Sequence, residues 1–299
     1  MDQIIEKISH RLNNEFLKDL FRATILQISY DENPIKYNSF AFSFRELTRH
    51  IFHELAPDTE IRKCVWYKPD NNSQNGITRA HRIEYAIRGG LSNTFLVNDL
   101  SFNVGELTKQ IIGTIDILNK FTHIEEDVFS VPEENGNTIV KSSLEALLNF
   151  FNAIDELRNN LIETYEKLLY EIIDDIFRNE TFDDIDILST HHIIEEIQLE
   201  QVKIKNISSE LIFIEIFGTV DVEHQYGSAR ERDKDDGDVF SNSYPFTVVK
   251  EINVENPLNI SITSEEIQVD NSNFFDDGEM EEEYDDSEVE EYLDTEQDF

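Results

Sequence analysis

Apolar side chains recur at helical spacing from the start of the chain. Ile4, Ile5, Ile8, Leu12, Phe16, Leu20 and Phe21 predict a helix over residues 4–28. Pro34 punctuates a loop, and a second helix is expected from Phe40 to Ala56, capped by Ser39 or Asn38 and stopped by Pro57. The polar, turn-rich stretch 69–76 reads as a loop. Thr78 suits the N-cap of a helix that would end at Gly89 and Gly90, where glycine supplies a positive φ. Leu107, Ile111, Ile115, Leu118 and Phe121 mark a helix over 103–121, and the amphipathic run over 138–178 predicts one long helix or a broken pair.

The period changes near residue 182. Ile193-Ile194-Glu195-Glu196-Ile197, Val202-Lys203-Ile204-Lys205 and Leu211 to Ile216 alternate and are rich in β-branched and aromatic residues, with turn residues at 206–209. Tyr244 to Val254 and Leu258 to Val269 are further strand candidates. The expected class is therefore α+β: an all-helical domain over 1–181, a mostly antiparallel, sandwich-like β domain over 182–270, and an acidic tail over 271–299. No apolar run approaches the roughly 20 residues that span a bilayer, and the N-terminus shows no signal-peptide pattern. The expectation is a cytoplasmic protein without membrane contact.

Charge sharpens this layout. The 299 residues carry 25 Lys and Arg against 63 Asp and Glu, a net charge of −38 that taken whole argues against nucleic-acid binding. The distribution reverses the inference. Residues 1–90 hold 13 basic against 12 acidic side chains, whereas residues 271–299 hold 14 acidic and no basic ones. Like charges in a block repel, so the tail is expected to be disordered; it could solvate the protein or cover a basic surface in competition with nucleic acid.

Candidate chemistry gathers in the near-neutral third. Arg62, Lys63, Lys68, Arg79, Arg82 and Arg88 form a cationic cluster beside Trp66 and Tyr67, a composition suited to phosphate contact and base stacking. The same arginines could instead pair with acids on neighbouring helices. Arg45 precedes His50 with four residues between them, Arg49 and His53 are one turn apart, and His123 follows a helix end. The Arg45–His50 spacing resembles the short motif of the HEPN ribonuclease superfamily. That resemblance implies acid–base work by the histidine and phosphorane stabilisation by the arginine, with no metal. The alternatives are two polar residues on an amphipathic helix and, for His123, a C-terminal cap.

Asp221, Glu223, Asp233, Asp235, Asp236 and Asp238 could gather around a divalent cation, but EF-hand and Glu-x-Lys spacings are missing. No metal ligand set is assigned, no cofactor is called for, and a divalent metal is left open. Phosphate-loop, Gly-x-Ser-x-Gly and His-Glu-x-x-His motifs are also missing. Cys64, the single cysteine, reads as a packed thiol.

Several stretches together carry a resemblance: Arg45 to Ile51, Ala56-Pro57-Asp58, Arg62 to Pro69, Ile77 to Ser92, Lys120 to His123, Gln225 to Ser228, Asp236-Gly237 and Ser243 to Phe246. Over residues 40–250 the chain resembles the bacterial predicted pPIWI-associating nucleases. The resemblance implies a nuclease-like component of a prokaryotic defence system, with nucleic acid (DNA or RNA) and other defence proteins as partners. It supplies no proven catalytic set. Combined with the residue reading, it points to Arg45, His50 and His123 for catalysis and to the six cationic residues of 62–88 for binding. The alternative is a non-catalytic adaptor that binds protein partners through its β domain.

Overall fold

The computed structural model describes residues 1–126, 128–227 and 238–276. The α+β class holds: helices occupy the N-terminal part and one antiparallel sheet follows. The expected first helix is two, α1 (Asp2–Arg11) and α2 (Glu15–Gln27), because the Asn14 side chain accepts from the Phe16 amide and starts a new N-terminus. Helix α3 (Lys36–Leu55) begins directly after Pro34 and Ile35, a turn earlier than the candidate caps Asn38 and Ser39. A short α4 (Asp58–Ile61) follows Pro57. Thr78 caps α5 (Arg79–Arg88), with Thr78 Oγ1 accepting from the His81 amide and His81 Nδ1 accepting from the Thr78 amide. Next come α6 (Asn93–Asn98) and α7 (Val104–Thr122).

The 138–178 run is one unbroken helix, α8 (Glu133–Asn179). At 1.5 Å per residue it is about 70 Å long. Neither Gly nor Pro interrupts it after Gly136, and buried Val140, Leu144, Leu147, Phe151, Leu157, Leu161, Tyr165, Leu169 and Ile173 keep a continuous inward stripe. A short α9 (Asp183–Asp186) leads to the sheet.

The sheet order is β1 (His191–Ile207), β2 (Leu211–Gln225), β3 (Val239–Asn253) and β4 (Ile267–Val269), all antiparallel. The alternating runs in 193–205 are a single strand whose register against β2 slips at three bulges, after Ile194, Leu199 and Ile204. Residues 258–263 keep an inward Ile260 and Ile262, yet only 267–269 join the ladder. Along β2, Ile212, Ile214, Ile216, Val220, Val222 and His224 are buried while the intervening side chains are half-exposed. The layer covering that face is helical: α8 packs on β1, and Phe177 of α8 stacks on Phe182 at 4.3 Å and meets Phe246 of β3 at 5.2 Å. The larger of two apolar clusters among the described residues thus runs through helices and sheet; the smaller gathers Ala56, Ile61, Cys64, Ile77 and Tyr85.

The β1–β2 turn plugs into the C-terminus of α5. Gly90 N–H donates to Ser208 O at 2.8 Å, and a Cβ on Gly90 would fall 2.0 Å from Ser209 O. Gly89 has a φ of +57° and equally little room. The Gly89-Gly90 pair therefore ends the helix and also admits the hairpin backbone. Of the segment read as an acidic tail, residues 271–276 lie against the sheet through α10 (Asn273–Asp276), Asn273 Nδ2 donating to Ser243 O at 2.9 Å; residues 277–299 lie outside the described residues.

Candidate nucleic-acid interface

Helical geometry sorts the α3 side chains first. Arg45, Arg49 and His53 recur every four residues and so share one stripe, whereas His50 lies about 140° around the helix from Arg45. His50 accordingly turns to α2, where its ring meets the edge of Phe16 at 5.1 Å. Arg49 Nη2 donates to His50 Nε2 at 3.0 Å and to Glu46 Oε2 at 2.8 Å. A guanidinium can only donate, so Nε2 of His50 is the acceptor in this contact. His53 is exposed at the other end of the stripe; partial desolvation, then Arg82 and Arg49, lower its pKa against the opposing pull of Asp58.

The Thr78 cap fixes where α5 begins, and docking of α5 on α3 and α7 brings Arg79 beside Arg45. Arg45 Nη1 donates to Thr122 Oγ1 at 3.3 Å, and its buried Nε has no partner among the described residues. The carboxylate nearest Arg79, that of Asp116, lies 3.7 Å from Nη1, beyond hydrogen-bond range. Burial lowers the pKa of Arg79 most, Arg45 adds to that, and Asp116 opposes it. Arg79 thus pairs with Asp116 without a hydrogen bond, and Arg45 keeps a buried Nε without a partner among the described residues, leaving donors available for an oxyanion. His123, next to Thr122 at the end of α7, is exposed.

The remaining predicted cations are placed differently. Arg82 is buried, donating to Ala56 O at 2.6 Å and pairing with Asp58. Arg88 is buried deeper, bonded to Glu84 Oε2 at 2.5 Å, Asn93 Oδ1 at 2.6 Å and Leu91 O at 3.1 Å. Its guanidinium lies over the Trp66 ring at 4.1 Å, and Trp66 Nε1 donates to Gly89 O at 2.9 Å. The aromatic–cation motif here fastens α5 to the segment before it. Lys63 is exposed and bridges Glu60 and Glu210, at 3.0 and 3.5 Å. Arg62 donates to Asn75 O at 2.7 Å, and Lys68 is exposed. Cys64 is buried, and burial pushes its thiol up to about 12.

The structure therefore brings Arg45, Arg79 and the end of α7 that carries His123 together, and turns His50 away from them. Thr122 and Asp116 complete the site and escaped sequence reasoning, because only the packing of α5 and α3 on α7 makes them neighbours. The stripe Arg45, Arg49, His53 was visible as a four-residue spacing.

Asp221 and Glu223 stand on the half-exposed face of β2, while Asp233, Asp235 and Asp236 lie outside the described residues. Among the described residues no group of three or more His, Cys, Asp or Glu converges as metal ligands. Also among them, no helix is long and apolar enough to cross a membrane. At the β2 end, buried His224 lies between Tyr244 Oη at 2.7 Å from Nε2 and Ser189 Oγ at 2.9 Å from Nδ1. Ser189 donates to His191 O, and Asn242 Nδ2 donates to Tyr244 Oη. The chain is satisfied when Tyr244 donates to Nε2 and Nδ1–H donates to Ser189, with neutral imidazole. Burial, and then His192, lower the pKa of His224.

Two family models match the chain, both described as predicted pPIWI-associating nuclease, one over residues 9–147 and the other over residues 154–275. The junction between them falls inside α8 rather than at the start of the sheet. No curated protein and no solved structure matches. The two matches join the helical part and the sheet under a single description, and the chain belongs to the predicted pPIWI-associating nuclease family.

Proposed function

We propose that this protein is a cytoplasmic, nuclease-type component of a PIWI-associated prokaryotic defence system that holds a nucleic-acid phosphate at Arg45 and Arg79. The observation that carries the reading is the pair of half-buried arginines: Arg45 keeps a buried Nε without a partner among the described residues, and Arg79, which feels the Arg45 charge, meets its carboxylate Asp116 only at 3.7 Å, without a hydrogen bond. In a chain of net charge −38 such a surplus is local and specific. His123, exposed beside Thr122, is the acid–base candidate at this site; His50 is engaged elsewhere. DNA or RNA is the substrate class, and other defence proteins are the expected partners.

The test uses the full chain with labelled single- and double-stranded DNA and RNA, with and without magnesium. Arg45→Gln with Arg79→Gln should weaken retention and reduce the salt slope by about two. His123→Ala should leave retention intact and slow cleavage by about 10²-fold or more. Retention unchanged in a folded double variant overturns the phosphate assignment. Retention without cleavage under every condition supports the second reading, a non-catalytic adaptor. That reading draws on the half-exposed outer face of the sheet, where Phe213, Phe217 and Val249 could meet a protein partner.

A further inference from the structure

A second cationic position lies toward the C-terminal end of α5, where α1, α4, α5, α8 and the end of β1 line an open cavity of about 770 Å³. Such volumes are typical of small-molecule sites. Its wall includes Arg11, Arg158, Asp155, Tyr85 and Ser208. The cavity exists because the β1–β2 turn docks on Gly89 and Gly90, which closes one side.

The charges in this wall do not balance. Arg11 takes both oxygens of Asp155, each at 2.7 Å, and lies 5.4 Å from the Phe151 ring centroid. Glu60 is also engaged: its Oε2 accepts from Ser209 Oγ at 2.6 Å, and Lys63 holds its other oxygen. Both carboxylates that could neutralise a further cation are therefore committed. Arg158, one turn of α8 from Asp155, makes no hydrogen bond or ion pair among the described residues and is half-buried. Burial lowers its pKa most, Asp155 opposes this and Arg11 adds to it, so the two guanidiniums feel each other across one neutralised carboxylate. A planar fork of donors with no internal acceptor, at the wall of a ligand-sized cavity, is a ready oxyanion site.

We propose that this cavity binds a small phosphate-bearing ligand the size of a nucleoside monophosphate, with its phosphate on Arg158. With Glu60 and Asp155 both committed, the wall favours an anionic group over a cationic one, and the volume beyond Arg158 leaves room for the remainder of the ligand. This site is separate from the Arg45–Arg79 pair and does not depend on the chain being a nuclease.

The experiment measures thermal unfolding and calorimetric binding of the full chain with adenosine monophosphate, inorganic phosphate and adenosine. Adenosine monophosphate should raise Tm in a concentration-dependent way and adenosine should not. Arg158→Gln should weaken binding by about tenfold or more. Ala86→Trp fills the cavity from α5 without touching a charge and should abolish the shift, which decides the matter if Arg158→Gln folds poorly. Arg45→Gln with Arg79→Gln should leave the shift intact, separating this site from the nucleic-acid interface. No response to adenosine monophosphate, or a response that survives both Arg158→Gln and Ala86→Trp, overturns the proposal.

Discussion

The guanidinium of Arg88 lies over the indole of Trp66 at 4.1 Å, and both side chains converge on Gly89 and the hairpin turn it admits. A cation over an aromatic ring is a familiar nucleic-acid signal in a sequence, yet here it is an internal fastening. Arg88→Ala should cost about 3–5 kcal/mol, since Glu84 would lose its partner in a largely buried setting. Arg88→Lys should cost less, because the charge survives and the stacking and forked bonding do not. Denaturant unfolding checks both, and retention of nucleic acid per folded molecule should be unchanged.

At the arginine pair the opposite kind of change is informative. Asp116 is the carboxylate that faces Arg79, it is exposed, and it forms no hydrogen bond with that guanidinium. Asp116→Asn should therefore leave the fold intact and tighten phosphate binding by about two- to threefold, near 0.5 kcal/mol for a screened surface charge. The gain should shrink as salt is added. A gel-shift titration at two salt concentrations checks it; weaker retention would mean that Asp116 positions Arg79 rather than opposing the ligand.

The helices, the sheet and the Thr78 cap were legible because each depends on near neighbours in the chain: periodicity, a cap three residues from its amide, glycine after the last turn. The break at Leu12 to Asn14 was harder to see, since the apolar spacing runs straight through it and only the Asn14 cap interrupts the backbone. The strand over 193–205 looked like two because bulges shift the phase of alternation. The site was legible in residue type and not in partner. Arg45 and Arg79 stood out as cations, but Arg82 and Arg88 carried the same signal and are buried against Asp58 and Glu84. Which arginines keep free donors is decided by how α5 packs on α3, α4 and α7, information that no local pattern carries.

His224 supplies a pH dependence whose sign is determined by its network. Burial lowers its pKa from the ordinary value of 6.5, so the unfolded chain binds the proton more readily than the folded one. Stability from this group is fully present above about pH 6.5 and is lost as pH falls through that value toward the lowered one. His53 and His81 are lowered as well and act in the same direction. The unfolding free energy should drop between about pH 7.5 and pH 5.5, before most carboxylates titrate. His224→Gln should be less stable at the higher pH and should show a flatter dependence. A slope as steep as that of the unaltered chain would place the effect elsewhere.

Tyr165 gives the prediction with the least usual sign. Its side chain is fully buried on α8 and its hydroxyl has no hydrogen-bond partner among the described residues. Burial alone raises its pKa, which is the mark of a hydroxyl in apolar surroundings with no charge or donor to help it ionise. Leaving a buried hydroxyl unsatisfied costs about 1–3 kcal/mol, while the ring itself contributes favourable burial. Tyr165→Phe keeps the ring and removes the unsatisfied oxygen, so it should be neutral or stabilising by about 1 kcal/mol. Tyr165→Ala removes the ring as well and should cost about 3–5 kcal/mol. The pair is read by chemical denaturation with the slope monitored, so that a change in the denatured ensemble is not mistaken for one in the core. A loss of about 1 kcal/mol or more in the phenylalanine variant would show that the hydroxyl is bonded in solution and that the middle of α8 holds a polar contact rather than a dry seam.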